Sequence, residues 1–215
     1  MLRFFMRADL SRIFHTHFEE VFMAGKQAKL LTDAMVRAMI RHVRKKRYPA
    51  RDVVMILLSV KAGLRAGEIA RLTWPMLLNA DGKISAVMEL HDIAAKKLHG
   101  RTIPINPELG KALVSLHRFQ GCPVEGCVIP SERKARMHSA SIVKWFKSLY
   151  SELGYEGCSS HSGRRSFVTR AARSIYRVGG SLKDVQQLAG HRSLETTQAY
   201  IEGDSKVKRK LVALL

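Results

Sequence analysis

Residues 159–200 read SSHSGRRSFVTRAARSIYRVGGSLKDVQQLAGHRSLETTQAY. The stretch contains two histidines, two adjacent arginines and a terminal tyrosine: His161, His191, Arg164, Arg165 and Tyr200. Between them, apolar residues recur at helical spacing: Phe167, Val168, Ala171, Val185, Leu188 and Ala189. Polar groups set into an amphipathic helical framework indicate a functional site rather than a plain hydrophobic core.

The composition indicates a polyanionic partner. The 215 residues include 37 Lys and Arg against 18 Asp and Glu, a formal net charge of +19. Such an excess is typical of proteins that bind nucleic acid, and an anionic membrane surface is the rival partner. We find neither an apolar run of about 18 residues nor a convincing signal peptide. We therefore expect a cytoplasmic, nucleoid-associated protein with no membrane association.

The three cysteines are expected to be reduced thiols, since their number is odd and no secretory signal is recognised. Cys122 and Cys127 lie close together, near His117 and His138. These four residues could hold zinc, but no second closely spaced ligand pair is present. We expect a loop with two small thiols and no metal site.

Hydrophobic periodicity predicts a mainly α fold with a small antiparallel β-sheet, an α+β class. Capping residues, prolines and glycines set the expected element ends. Helices are predicted near 8–25, 32–47, 49–63, 107–120, 139–154 and 206–215, with further helices inside 159–200. Two β-like runs, 84–90 and 102–105, flank a basic hairpin at 96–101. An arginine between glycines, Arg65, is placed by a tight backbone rather than on a plain helix face.

Six polar residues stand at special positions along the chain: Arg65, Lys96, His161, Arg164, His191 and Tyr200. Two arginines can fork onto the nonbridging oxygens of one phosphate. A tyrosine can attack phosphorus if a base takes its proton, because its ordinary pKa is near 10. A histidine can accept that proton, and a lysine can protonate a departing alkoxide. Together these side chains suffice for metal-free phosphoryl transfer to tyrosine, and no cofactor is expected.

The order of four motifs resembles the tyrosine recombinases, or phage-type integrases. The motifs are Gly-Leu-Arg-Ala-Gly-Glu-Ile at 63–69, the basic hairpin, His-Ser-Gly-Arg at 161–164, and Leu-Ala-Gly-His at 188–191 with a tyrosine nine residues later. Each motif is weak alone, but the set in this order is specific. The resemblance covers about 32–200 and implies the family's catalytic-domain fold.

The resemblance implies a role for each basic residue that matches a family motif. Arg65 and Arg164 look like the arginines that hold the scissile phosphate. Lys96, five residues before Arg101, matches the lysine that protonates the 5′-oxygen leaving group, and Lys97 is its close rival.

The remaining matched residues are implied to act on the nucleophile and the phosphate. Tyr200 looks like the nucleophile and His161 like its proton acceptor. His191 resembles the residue that binds a nonbridging oxygen, and Glu68 the acid that supports the arginine pair.

The implied reaction cleaves DNA to a covalent 3′-phosphotyrosyl enzyme and rejoins it to a 5′-hydroxyl of a partner duplex, without metal or ATP. The expected partners are double-stranded DNA and three further copies in a homotetramer, with an accessory DNA-bending or directionality protein as a further candidate. The expected organisation is a helical extension at 1–31, a catalytic domain at 32–203, and a tail at 204–215 that exchanges between protomers.

Two departures from the family pattern stand out. Gly163 precedes Arg164 where an apolar residue is usual, and Arg165 follows where a histidine is usual. About 30 residues precede the catalytic region, too few for the family's usual N-terminal DNA clamp. The chain therefore resembles small members of the family, or is a fragment, or depends on a partner. The alternatives to an active recombinase are a non-catalytic DNA-binding remnant and an enzyme that relaxes DNA by type IB topoisomerase chemistry.

Overall fold

The structure, a computed structural model, describes residues 28–91, 100–133, 135–200 and 212–213. In these ranges the helices are α1 Asp33–Val43, α2 Pro49–Lys61, α3 Ala66–Arg71, α4 Pro107–Phe119, α5 Ser139–Glu152, α6 Ser162–Ser174, α7 Leu182–Ala189 and α8 Leu194–Gln198. The strands are β1 Val87–Leu90 and β2 Arg101–Pro104. The predicted mainly helical fold with a small sheet is confirmed. The helix predicted at 8–25 and most of the tail lie outside the described residues.

Helix α2 is the centre of the hydrophobic core. Its residues Val54, Met55, Ile56, Leu57 and Leu58 are all buried, so the helix is apolar around its whole circumference. A helix of that kind must be covered on every side. Helices α1, α4 and α6 pack against it and supply that cover.

Helix starts follow local chemistry more closely than helix ends do. The Thr32 side chain caps α1 by accepting the N–H of Met35 at 3.2 Å, as predicted. Pro49 occupies the first turn of α2, where a missing N–H costs nothing. Helix α1 stops at Val43, before the predicted end near residue 47, and the cations that follow form a turn.

The sheet is a single antiparallel pair of strands. Val87 lies opposite Pro104 and Leu90 opposite Arg101. The first strand is shorter than predicted, since Ile84 makes only an isolated bridge with Leu78. Residues 92–99, which include the predicted hairpin tip with Lys96, lie outside the described residues.

Helix α6, which carries Arg164, is held by close contacts with two separate segments of the chain. Its Gly163 lies against Ser59 of α2 so closely that an added Cβ would collide with the Ser59 hydroxyl. From the segment before α1, the Leu31 N–H donates to Ser166 Oγ at 2.7 Å, and Arg170 donates to the Leu31 carbonyl at 2.7 Å. The segment before α1 therefore forms hydrogen bonds with the same helix that packs against α2.

The cysteines Cys122, Cys127 and Cys158 are free. His117, one of the zinc candidates, donates from Nε2 to the Pro123 carbonyl at 2.9 Å and lies against the Trp74 ring. Among the described residues, no group of three His, Cys, Asp or Glu side chains is placed to hold a metal ion. The described helices also include none that is both long and apolar enough to cross a bilayer.

Replacing Gly163 by alanine should destabilise the protein, whereas the same change at Gly110 should not. Alanine normally favours a helix over glycine by about 1 kcal/mol. At Gly163 the new methyl would also meet Ser59 Cβ at 2.9 Å and Val60 Cγ1 at 3.1 Å, and such overpacking costs about 1–3 kcal/mol. At Gly110, within α4, it would meet only Ile105 Cγ2 at 3.5 Å, an ordinary contact.

Urea unfolding of the two variants measures this difference. We expect G163A to lower the free energy of unfolding and G110A to raise it or leave it unchanged. Equal effects of the two substitutions would contradict the close contact between α6 and α2.

Candidate active site

The site is built around the buried carboxylate of Glu68. Arg65 stands at the N-cap of α3 in an extended conformation, with φ −73° and ψ 155°, and Glu68 follows three residues later. The Arg65 N–H donates to Glu68 Oε2 at 2.7 Å, and the Arg65 guanidinium donates to Oε1 at 3.2 Å. Glu68 is only 3% exposed, so its charge requires partners of this kind.

A second guanidinium, that of Arg101, reaches Glu68 from strand β2. Its Nη1 donates to Glu68 Oε1 at 2.8 Å, and its Nε donates to the Leu188 carbonyl near the end of α7 at 3.1 Å. Gly190, the left-handed residue that ends α7, allows this approach because a Cβ there would lie 2.7 Å from Arg101 Nη1. Arg101 thus links three separate segments of the site.

Arg164 is the third guanidinium and is almost wholly buried. It donates to the Gly63 carbonyl at 2.7 Å and to the Ala189 carbonyl at 2.6 Å, and its Nη1 lies 4.0 Å from Glu68 Oε2. Burial, reinforced by the charge of Arg65, lowers the pKa of Arg164 to about 10. The group therefore stays charged at neutral pH in a fixed orientation.

The cluster has more positive than negative charge. Burial raises the pKa of Glu68, but the hydrogen bonds and charges of Arg101, Arg65 and Arg164 outweigh burial, and the net pKa lies below its usual value. Glu68 is therefore ionised, and one carboxylate faces three guanidiniums. Such a cluster suits an anionic ligand.

His191 and Tyr200 form the other half of the site. Their rings stack with centroids 5.6 Å apart and planes 14° from parallel. His191 Nδ1 lies 2.9 Å from the hydroxyl of Thr197. Gln186 holds the backbone here by donating to the His191 carbonyl at 3.1 Å. Burial, followed by the charge of Arg164, lowers the pKa of His191 to about 4, so this imidazole is neutral at pH 7.

An open cavity of about 1100 Å³ adjoins both halves. It is lined by the predicted residues Arg65, Glu68, His161 and His191, and His161 stands exposed at the N-cap of α6. The other charged residues that line it are all cationic: Arg71, Arg101, Lys183 and Arg192. Glu68 is thus the one acid among the lining residues that the structure describes, and the cavity is basic overall.

The structure brings six of the seven predicted site residues to one place. Glu68 of α3 contacts Arg65 at the start of that helix and lies 4.0 Å from Arg164 of α6. His191, which follows α7, stacks on Tyr200, which follows α8. His161 lines the same cavity as His191. Lys96 lies outside the described residues, as does its rival Lys97.

Two site residues had no predicted role: Arg101 and Thr197. Arg101 begins a strand and Thr197 sits in a short polar helix, and neither position is distinguished by periodicity. Only position in the sequence could have indicated these two residues. Arg101 begins the strand after the basic hairpin, and Thr197 lies between the motif residues His191 and Tyr200.

Residues 29–206 match the family model described as the Phage integrase family. This match covers well over half of the 215 residues. The chain therefore belongs to the phage integrase family, in agreement with the resemblance noted in the sequence.

Curated relatives of the chain are tyrosine recombinases. Tyrosine recombinase XerC of Brucella suis biovar 1 is 28% identical over 162 residues, which span 73% of this chain and 48% of that protein. Tyrosine recombinase XerD of Rickettsia conorii is 26% identical over 189 residues, spanning 82% of this chain and 60% of its own length. The chain thus matches about half of the length of such relatives.

Solved structures share the fold. The Tn1549 transposon integrase in complex with transposon right end DNA superposes with a TM-score of 0.68 at 16% identity, over 87% of this chain and 66% of that one. XerA recombinase gives a TM-score of 0.64 at 20% identity, over 89% and 64% of the two chains. The architecture around the site is therefore that of tyrosine recombinase catalytic domains.

Acidification should destabilise the protein through His191. The unfolded chain binds this proton near pH 6.5, whereas the folded protein binds it only near pH 4. Between these values the unfolded state holds more protons, so stability falls as the pH falls. We expect the difference in unfolding free energy between wild type and His191→Gln to shrink from pH 7 to pH 4, as measured by urea unfolding at several pH values. A difference that is constant over this window would contradict the buried neutral imidazole.

Proposed function

We propose that this chain is the catalytic domain of a site-specific DNA recombinase that cleaves and rejoins double-stranded DNA through Tyr200. The observation that carries the proposal is the cluster of three guanidiniums around one buried carboxylate, beside a cavity that also holds a histidine stacked on a tyrosine. The names of the curated relatives, which are tyrosine recombinases, support the same conclusion. We assign the domain to residues 32–203.

The arginines hold the scissile phosphate. Arg65 lines the cavity, while Arg164 is fixed by two backbone carbonyls and needs little reorganisation when an anion binds. Donors that are oriented in advance stabilise the charge that develops on phosphorus more than mobile donors do. The excess of cations over Glu68 supplies the attraction for the phosphodiester.

The chemical step exchanges one ester of phosphorus for another. Tyr200 Oη attacks phosphorus and its proton passes to His161, while the bond from phosphorus to the 5′-oxygen breaks. Lys96, with Lys97 as the alternative, gives a proton to the departing 5′-oxygen. His191 binds a nonbridging oxygen. The products are a 3′-phosphotyrosyl enzyme and a free 5′-hydroxyl.

Rejoining is the same exchange in reverse, with the 5′-hydroxyl of a partner duplex as the attacking group. The tyrosyl ester keeps the energy of the phosphodiester, so no ATP is consumed. We propose that four copies act together on DNA, with the 204–215 tails exchanged between protomers, and that an accessory DNA-bending or directionality protein assists them. Residues 1–31 form an extension ahead of the catalytic domain.

Tyr200 acts on the phosphate held by its own subunit. Its ring stacks on His191 of the same chain, and His191 lines the same cavity as Arg65 of that chain. The nucleophile is thus already beside the residues that hold the phosphate, and no exchange of the tyrosine between subunits is required.

Removing the Tyr200 hydroxyl should abolish the covalent adduct and leave DNA binding intact. The test uses nicked suicide duplexes carrying inverted repeats taken from the DNA that flanks the encoding gene, followed by a denaturing gel. Wild type should form an adduct and Tyr200→Phe should form none. Tyr176→Phe is the matched control, because Tyr176 is 68% exposed and lies outside the site.

Other outcomes of this experiment separate the competing functions. Wild-type binding without an adduct on that DNA would contradict the proposal and favour a non-catalytic DNA-binding protein. Relaxation of supercoiled DNA without recombination of two sites would instead favour topoisomerase chemistry.

Two inactive variants should not complement each other if Tyr200 acts within its own subunit. In a mixture of Arg65→Gln and Tyr200→Phe, every subunit lacks either the phosphate contact or the nucleophile. We therefore expect no adduct from the mixture on the suicide substrate, whereas a mixture of wild type with Tyr200→Phe should give one. Restored adduct in the first mixture would show that one subunit donates its tyrosine to another.

A further inference from the structure

The contact between His191 and Thr197 determines which nitrogen of the imidazole carries a proton. His191 is 9% exposed and Thr197 is completely buried. Their polar atoms, Nδ1 and Oγ1, lie 2.9 Å apart. A neutral imidazole has one nitrogen that donates and one that accepts, so two arrangements of this hydrogen bond are conceivable.

The proton of the buried Thr197 hydroxyl decides which of the two hydrogen-bond arrangements forms. If Nδ1 carried the proton it would donate to Thr197 Oγ1, and the hydroxyl proton would then need another acceptor. The only hydrogen-bond partner of Thr197 Oγ1 in the part of the chain that the structure describes is His191 Nδ1. Buried donors are rarely left unpaired, because doing so costs the full desolvation of the group. Thr197 therefore donates to Nδ1, and the proton of His191 is on Nε2.

The position of that proton matters because of the charge around His191. Burial, with Arg164 and Arg65, lowers the pKa of His191 to about 4, so the ring does not become a cation that donates from both nitrogens. His191 lines the basic cavity, and its Nε2 makes no hydrogen bond to the described residues. A protonated Nε2 offers the cavity a donor, whereas a bare Nε2 would present a lone pair to an anionic oxygen.

We propose that Thr197 is a positioning residue that keeps His191 in the Nε2–H form, so that the cavity offers a donor to a nonbridging phosphate oxygen. Thr197 itself does not touch the phosphate. The inference rests on the proposed function for the identity of the anion, but not for the form of the imidazole. Gln186 supports the arrangement by donating to the carbonyls of His191 and Arg192 at 3.1 and 3.2 Å.

Two substitutions at Thr197 separate the hydroxyl from the shape of the side chain. Thr197→Val has nearly the same volume and no hydroxyl, and Thr197→Ser keeps the hydroxyl. Residues that fix the form of a metal-bound histidine typically change activity by about 10- to 100-fold, and we expect a similar range here. In single-turnover cleavage of the suicide duplex, T197V should be slower by about 10- to 100-fold and T197S should stay close to wild type.

A spectroscopic measurement tests the imidazole directly and needs no DNA. In protein labelled with ¹⁵N at histidine, the two ring nitrogens give distinct shifts for a nitrogen that bears hydrogen and for one that does not. The His191 signals are assigned by their loss in His191→Gln. We expect the Nε2–H form in wild type and T197S, and a shift of the population toward Nδ1–H in T197V. Urea unfolding checks that each variant is folded.

The outcomes distinguish this inference from the proposed function. An Nδ1–H form in wild type, or unchanged ring shifts in T197V, would overturn the role of Thr197 whatever the enzyme does. A wild-type cleavage rate in T197V would overturn it while leaving the recombinase proposal intact. If wild type forms no adduct, the recombinase proposal fails, and the ring shifts alone then decide the role of Thr197.

Discussion

The arrangement of this site depends on one buried carboxylate. Glu68 binds Arg65 and Arg101 and lies 4.0 Å from Arg164, so it holds together residues from a helix start, a strand and a distant helix. A buried charge is tolerated only when it is paired, and loss of one partner leaves the others uncompensated. The carboxylate is ionised because three guanidiniums oppose it. Glu68 fixes the positions of the three guanidiniums but neutralises only one of their three positive charges. The excess positive charge is available to bind an anion.

The rest of the fold holds these charged groups in their relative positions. Helix α6 brings Arg164 to the cluster because Gly163 allows it to approach α2 and because the segment around Leu31 forms hydrogen bonds with α6. Gly190 allows Arg101 to lie under the end of α7, next to the turn that presents His191. Each glycine removes a side chain at a point of contact. Gly163 lies inside α6, where glycine is a poor helix former, whereas Gly190 occupies the left-handed position that ends α7, where glycine is favoured.

Local patterns predicted the starts of α1, α2, α4 and α5, because caps and apolar spacing act over only a few residues. They indicated no helix at α3 and placed no boundaries for the helices within 159–200. They predicted the ends less well: α1 was expected to continue to about residue 47 and stops at Val43. Periodicity cannot distinguish a run of lysines and arginines on a helix face from the same run in a turn. The site residues were found from the order of their motifs, and six of the seven come together. Lys96 stays a prediction.

The sequence by itself determined the family, the helical framework and the identity of the polar residues, since these follow from spacing and from motif order along the chain. Only the tertiary structure decided what those residues contact. No local signal marks Arg101 as the guanidinium that shares Glu68, or Thr197 as the partner of His191. Both roles depend on burial, and burial is decided by which distant segments pack together, because a polar group deprived of water must take its partner from whatever lies nearest in space.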